Sequence, residues 1–147
     1  MQPADFTTVE MVRAIQLAVA PVFLLSGIGV LLGVLTNRLA RVIDRARRLE
    51  TEIGGLDDPS RDERYATLRT LARRARHINR AIALSTIAAL LVSLVVVLLF
   101  STSLVALDLG YAVGLLFVAA MLALIGALLS FLLEVRIAVA ALKFAKW

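Results

Sequence analysis

Cysteine is missing from all 147 residues. That excludes a disulfide framework and any thiolate metal centre. There is one histidine, His77, and it cannot build a metal centre by itself. No glycine-rich phosphate loop follows a strand pattern. There is no HExxH and no nucleophile–base–acid set. No cofactor and no enzymatic activity are therefore expected. Charge is missing too, in three places. The runs at about 14–35, 81–100 and 112–133 hold no ionisable side chain.

Each run is about 20 residues long, enough for a helix to cross a hydrocarbon core of about 30 Å. The chain is 61% hydrophobic, more apolar surface than a soluble domain of this length can hide. The expected fold class is an all-α membrane protein with three transmembrane helices in one domain, and the lipid bilayer is its first partner.

The charges are concentrated between the first two runs. Of the 16 Lys and Arg, 12 lie between Arg38 and Arg80. Arg136, Lys143 and Lys146 follow the third run, and only Arg13 precedes the first. The positive-inside rule places segment 36–80 and the C-terminus in the cytoplasm, with the N-terminus outside. Topology accounts for the basic bias, so no nucleic-acid partner is invoked. The first run does not read as a cleaved signal peptide. Its positive charge follows the apolar stretch, and no small-residue cleavage pattern ends it.

Thr7 and Glu10 have capping-box spacing, which predicts a helix start there. Pro21 lies inside the first run and leaves the Leu17 carbonyl without its usual donor. A bend that aids packing and a gating or ligand role are both open readings of this residue. The apolar stripe continues past the run through Leu39, Val42, Ile43, Ala46, Leu49 and Ile53, broken only by Glu50. Gly54-Gly55 is expected to end it. Leu56–Pro59 reads as a turn, and Ser60 and Glu63 as a second capping box. Tyr65, Leu68, Leu71, Ala72, Ala75, Ile78 and Ile82 line one face of the returning arm. The first two transmembrane helices should thus extend into a cytoplasmic antiparallel helical hairpin at 36–80, projecting about 25 Å. The connection at 101–111 is short and carries only Asp108. After the third run an amphipathic tail, 134–147, ends in Lys143, Lys146 and Trp147, which suit the inner interface.

Small residues recur at four-residue spacing: Gly29 and Gly33, then Ser85, Ala89 and Ser93, then Gly110 and Gly114, Ala119–Ala123–Ala127, and Gly126 with Ser130. Such spacing lets helices approach closely in lipid. Three helices bury little against each other, so a homo-oligomer is expected. The hydroxyls of Ser26, Ser85, Thr86, Ser93 and Ser130 are expected to bond to the preceding helical turn.

Arg38, Arg41, Arg45 and Arg48 share one face of the first arm; Arg69, Arg73, Arg76 and Arg80 share one face of the second. These stripes read as solvated charge attracting anionic lipid headgroups, as a positive vestibule for small ions, or as a docking surface for an acidic partner. Asp44, between Arg41 and Arg48, is expected to pair locally. Asn37-Arg38 and Asn79-Arg80 repeat a dipeptide where each arm meets its apolar run. Glu134 follows the third run directly, and a carboxylate there needs a partner. Arg38 or Arg80 is expected. A latch that sets helix register and an ion-handling role are both open for it. His77 reads as an interfacial hydrogen-bonding residue.

The stretches Ile15–Gly29, Thr36–Arg47, Arg76–Ile82 and Phe131–Val135 resemble a bacterial family of small three-pass membrane proteins catalogued only as a domain of unknown function. The resemblance covers nearly the whole chain. It implies a bacterial inner-membrane location and brings no catalytic residues. Two function classes follow: a channel-like assembly for small ions with Arg-lined cytoplasmic mouth, or a non-conducting scaffold or signalling module whose hairpin binds a partner. A channel calls for polar positions along one helix face, and only Gln16, Ser26 and Thr36 are available.

The charge asymmetry makes a direct prediction. Ser60→Cys should be shielded from an impermeant thiol reagent on intact cells, and Ser103→Cys should be labelled. Labelling of the first but not the second would reverse the topology.

Overall fold

The computed structural model describes residues 3–53, 58–105 and 109–143, with side chains placed at 8–9, 11–53, 61–101 and 109–139. It contains three helices: α1 (Pro3–Ile53), α2 (Asp58–Val105) and α3 (Gly110–Lys143). There is no strand among the described residues. All three helices are long and apolar enough to cross a membrane. In their most apolar windows, only 17%, 22% and 11% of residues are buried. Phe23, Val30, Leu90 and Leu122 are among the large side chains left exposed. Apolar surface on this scale is stable only against lipid or another chain.

The helix ends differ from expectation in three places. α1 already includes Pro3, so it does not begin at Thr7. Proline suits a first helical turn because its missing N–H would have no partner there. α2 begins at Asp58, so Ser60 lies inside the helix and does not cap it. α3 passes through Glu134 without a break and reaches Lys143. The side chains of Thr7, Glu10, Ser60 and Lys143 and the whole of Asp108, Lys146 and Trp147 lie outside the described residues; of the turn expected at Leu56–Pro59, Leu56 and Asp57 do too, while Asp58 and Pro59 are helical. α1 is described as far as Ile53, and Gly54-Gly55, expected to end it, lie outside the described residues.

The chain divides into two compact units. The first takes residues 1–31 and 84–125. Its buried positions are Ala14, Ala18, Pro21 and Ile28 from α1, Ser85, Ala88, Val92 and Val95 from α2, and Ala120 from α3. Most are small, and small side chains let helix backbones come close where lipid removes the usual hydrophobic drive. Pro21 is one of these buried positions, within a continuous helix.

The second unit takes residues 32–83 and 126–147. Leu35, Val42, Ile53, Leu71, Ile78, Ala81 and Ala127 form its buried apolar set. Arg64 donates to Glu52. Leu39 and Ile43, earlier on α1, share a groove with Ala75 and Asn79, later on α2. The arms 32–53 and 58–83 therefore lie side by side and run antiparallel. On the returning arm Tyr65 and Ala72 are exposed, so its buried stripe is narrower than the sequence suggested.

Buried positions recur every seven residues along each helix. They are Ala14, Pro21, Ile28, Leu35 and Val42 on α1; Leu71, Ile78, Ser85 and Val92, with Ala81, Ala88 and Val95, on α2; and Ala120, Ala127 and Glu134 on α3. A seven-residue repeat is the mark of knobs-into-holes packing, in which alternate steps of three and four keep one narrow seam turned inward. The small residues at four-residue spacing fall on or beside these seams in α2 and in α3 from Ala119 onward; Gly110 and Gly114 are exposed, and a Cβ added at Gly114 would meet nothing within 4 Å. Ser85 is buried, and Ala89, Gly126 and Ser130 are half-buried. Gly29 and Gly33 do not. Both are exposed, and a Cβ added at either would meet nothing within 4 Å.

A leucine at position 88 would overfill the α2 seam, where Ala88 is fully buried. Ala88→Leu should destabilise the protein by about 1–3 kcal/mol, read as a lower unfolding midpoint in detergent. An unchanged midpoint would mean that this seam is loosely packed.

Candidate functional site

The second unit places one carboxylate among arginines. Glu134 lies on the α3 seam seven residues after Ala127, and its side chain is only 1% exposed. Its position in the repeat turns it inward, and the continuous helix holds it there. Arg38 of α1 donates from Nη1 to Glu134 Oε2 at 2.8 Å. Arg74 of α2 donates to Oε1 from Nε at 3.1 Å and from Nη2 at 2.8 Å. One residue from each helix thus meets at a single carboxyl group. The Arg38 guanidinium also lies over the Phe131 ring, 5.1 Å from its centroid. Phe131 precedes Glu134 by three residues, so both occupy the same α3 face. Stacking and pairing together fix the plane of the Arg38 fork.

Charge and burial explain why both arginines are needed. A carboxylate without water requires compensation of its charge and of its lone pairs. Arg38 satisfies one oxygen and Arg74 the other. The arginine side chains are 32% and 22% exposed, so each keeps part of its hydration.

The expected partner Arg38 is confirmed, and the alternative Arg80 is not used. Arg80 instead lines a groove of about 590 Å³ with Arg69, Arg73, Arg76 and His77. Arg74 was missed by sequence reasoning because the stripe Arg69, Arg73, Arg76 and Arg80 lies on another face of α2. The available signal was its distance from Leu71 and Ile78, three and four residues, which puts it beside the buried seam.

Around the clamp, Arg41 and Arg45 join Arg38, Arg74, Glu134, Val42 and Leu71 in lining a cavity of about 260 Å³. Arg41, Asp44, Arg45 and Arg48 line a neighbouring groove. Asp44 is exposed and forms no ion pair among the described residues, contrary to the local pairing its spacing suggested. Water serves an exposed carboxylate as well as a surface arginine does, and holding two long side chains together carries an entropic cost. Asn37 and Asn79 are both exposed; Asn79 lines the groove that also holds Arg76 and Arg80. Pro21, Gly29, Ser85 and Ala89 belong to the first unit; Gly33 belongs to the second but does not line this cavity.

The serine and threonine hydroxyls mostly serve their own helices. Ser93 donates to the Ala89 carbonyl and Ser130 to that of Gly126, each at 2.9 Å. Thr36 donates to Leu32 O at 2.9 Å and Gly33 O at 3.1 Å. Ser85 departs from the expected pattern: its buried Oγ has no hydrogen-bond partner among the described residues.

A family model described as a protein of unknown function (DUF2721) matches residues 18–144. The chain belongs to that family, as the Thr36–Arg47 and Arg76–Ile82 motifs implied. No curated protein and no solved structure matches it.

The geometry predicts energetic coupling between Glu134 and two arginines only. In double-mutant cycles, Glu134→Ala should couple to Arg38→Ala and to Arg74→Ala by about 1–3 kcal/mol, between the values for exposed and fully buried pairs. Arg80→Ala should be additive with Glu134→Ala. Additivity for all three would show that the carboxylate is not clamped.

Proposed function

We propose that this membrane protein is a homo-oligomer of the bacterial inner membrane whose arginine-rich arms face the cytoplasm and gather anions at the mouth of a channel-like path for small ions. The observation that carries this reading is the state of the arginines. Arg41, Arg45 and Arg48 on one arm, and Arg69, Arg73, Arg76 and Arg80 on the other, form no ion pair among the described residues. They line open grooves at the end of long apolar helices. Repeated around an axis, such stripes raise the local anion concentration within roughly 8–10 Å at physiological salt.

Self-association is supported by the exposed side of α1. Ser26, Gly29 and Gly33 lie away from the buried seam. Small residues on a lipid-exposed face offer a second helix close approach. The bilayer location rests on three long apolar helices, and the orientation on the distribution of arginine.

A specific observation favours a second reading, a non-conducting scaffold whose hairpin docks an acidic partner. A conducting path needs polar groups along it. Thr36, one of the three candidates on α1, already spends its hydroxyl on the Leu32 and Gly33 carbonyls.

Purified protein in planar bilayers separates the two. The channel reading expects discrete currents that favour anions, and Arg41→Gln with Arg45→Gln should lower conductance more at low salt than at high salt. Gly33→Leu should reduce the oligomer and the currents together. Silent bilayers with verified insertion would overturn conduction in favour of the scaffold.

A further inference from the structure

The geometry points to an oxyanion site for a phosphomonoester in the cavity beside Glu134, with Arg41 and Arg45 as its principal ligands. It rests on the reading that the arms attract anions, and it is independent of conduction. Four guanidinium groups and one carboxylate line this cavity, so its formal charge is +4 − 1 = +3. Both oxygens of Glu134 are already taken. The carboxylate is therefore neutralised within the site and does not repel an incoming anion as a free one would.

The donors are in excess. A guanidinium carries five N–H groups. Arg38 spends one on Glu134 and Arg74 spends two. Arg41 and Arg45 spend none on an ion pair among the described residues. About 260 Å³ is far more than one water needs and accommodates a tetrahedral oxyanion. Val42 and Leu71, both largely buried, supply an apolar wall. Such a wall lowers the local dielectric and strengthens charge-assisted hydrogen bonds.

Glu134 acts here as a positioning residue. Without it, the Arg38 and Arg74 guanidiniums would repel one another. With it, and with Phe131 beneath Arg38, both forks are held before a ligand arrives. Preorganised forks suit the paired oxygens of phosphate, and a dianion answers the charge excess better than a carboxylate does.

Two sources offer this chemistry: free phosphate, or the headgroup of a lipid ending in a phosphomonoester. Sequence position favours the headgroup. Arg38 comes three residues after the first uncharged run, and Glu134 directly after the third. Both positions suit the headgroup depth of a spanning helix.

The test uses the full chain in an uncharged detergent and reads its unfolding midpoint. The probes are inorganic phosphate, short-chain phosphatidic acid and short-chain phosphatidylglycerol, against chloride at matched ionic strength. A saturable rise with the phosphomonoesters is expected, with little effect of the phosphodiester phosphatidylglycerol. Phosphatidic acid should act at a concentration at least about tenfold lower than phosphate if the headgroup is the natural ligand; equal potency would assign the site to free phosphate. Arg41→Gln with Arg45→Gln should weaken the response about tenfold or more, and Arg69→Gln with Arg73→Gln should leave it unchanged. All four arginines are exposed, so these variants keep the fold. Glu134→Gln should weaken the response to phosphate, and Glu134→Asp should restore part of it. Equal weakening by both arginine pairs, or a rise no greater than that in chloride, would overturn the site. Silent bilayers with an intact phosphate response would remove conduction and leave this site standing.

Discussion

A carboxylate shut away from water needs its charge answered nearby, and Glu134 imposes that requirement on its unit. The answer comes from two other helices at once. Arg38 and Arg74 reach one oxygen each, and Phe131 supports Arg38 from below. A buried ion pair is weak evidence of stability, because desolvation offsets much of its attraction. It is stronger evidence of specificity. Three helices whose seams are mostly small or aliphatic have many ways to slide by a turn. Only one register brings both guanidiniums to this carboxylate.

The seven-residue seam and the clamp divide the work. In the first unit, Ala14, Ala18, Ser85, Ala88 and Ala120 permit close helix approach but carry little directional information. In the second, the seam on α3 carries Glu134, where it meets the arginines of the other two helices. Close packing supplies attraction in the unit richest in uncharged sequence, and directional charge supplies register in the other. Ser85 stands apart, a buried hydroxyl that neither a neighbouring turn nor another side chain satisfies among the described residues. Nothing in the structure explains it.

Much of this was legible in the sequence because lipid leaves few options. Runs without charge had to be spanning helices, and α1, α2 and α3 each contain one. The continuation of α1 to Ile53 followed from the stripe through Val42. The need of Glu134 for an arginine followed from its place at the end of a run. Which arginine was less legible. The stripe of Arg69, Arg73, Arg76 and Arg80 itself alternates steps of four and three, so spacing alone does not choose between Arg80 and Arg74. Arg74 is placed by the buried Leu71 and Ile78, three residues before it and four after. Gly29 and Gly33 were misread because their spacing implied contact, while the seam on α1 runs through Ile28 and Leu35. Asp44 failed for another reason. Spacing gives proximity, but an exposed carboxylate gains too little from pairing to hold two side chains still.

The arginine excess is best understood together with the one acid that is buried. If the stripes served orientation alone, their position along the arms would matter and their arrangement around each helix would not. Yet Arg38, Arg41 and Arg45 of α1 face the same cavity as Arg74 of α2, and a carboxylate sits among them with both oxygens occupied. Topology would be satisfied by any twelve basic residues in segment 38–80. Convergence on one cavity is an additional constraint, and it carries a cost in mutual repulsion. Glu134 offsets part of that repulsion from within. The remaining positive charge is directed into a space backed by Val42 and Leu71, where an anion from outside would complete the compensation that Glu134 begins.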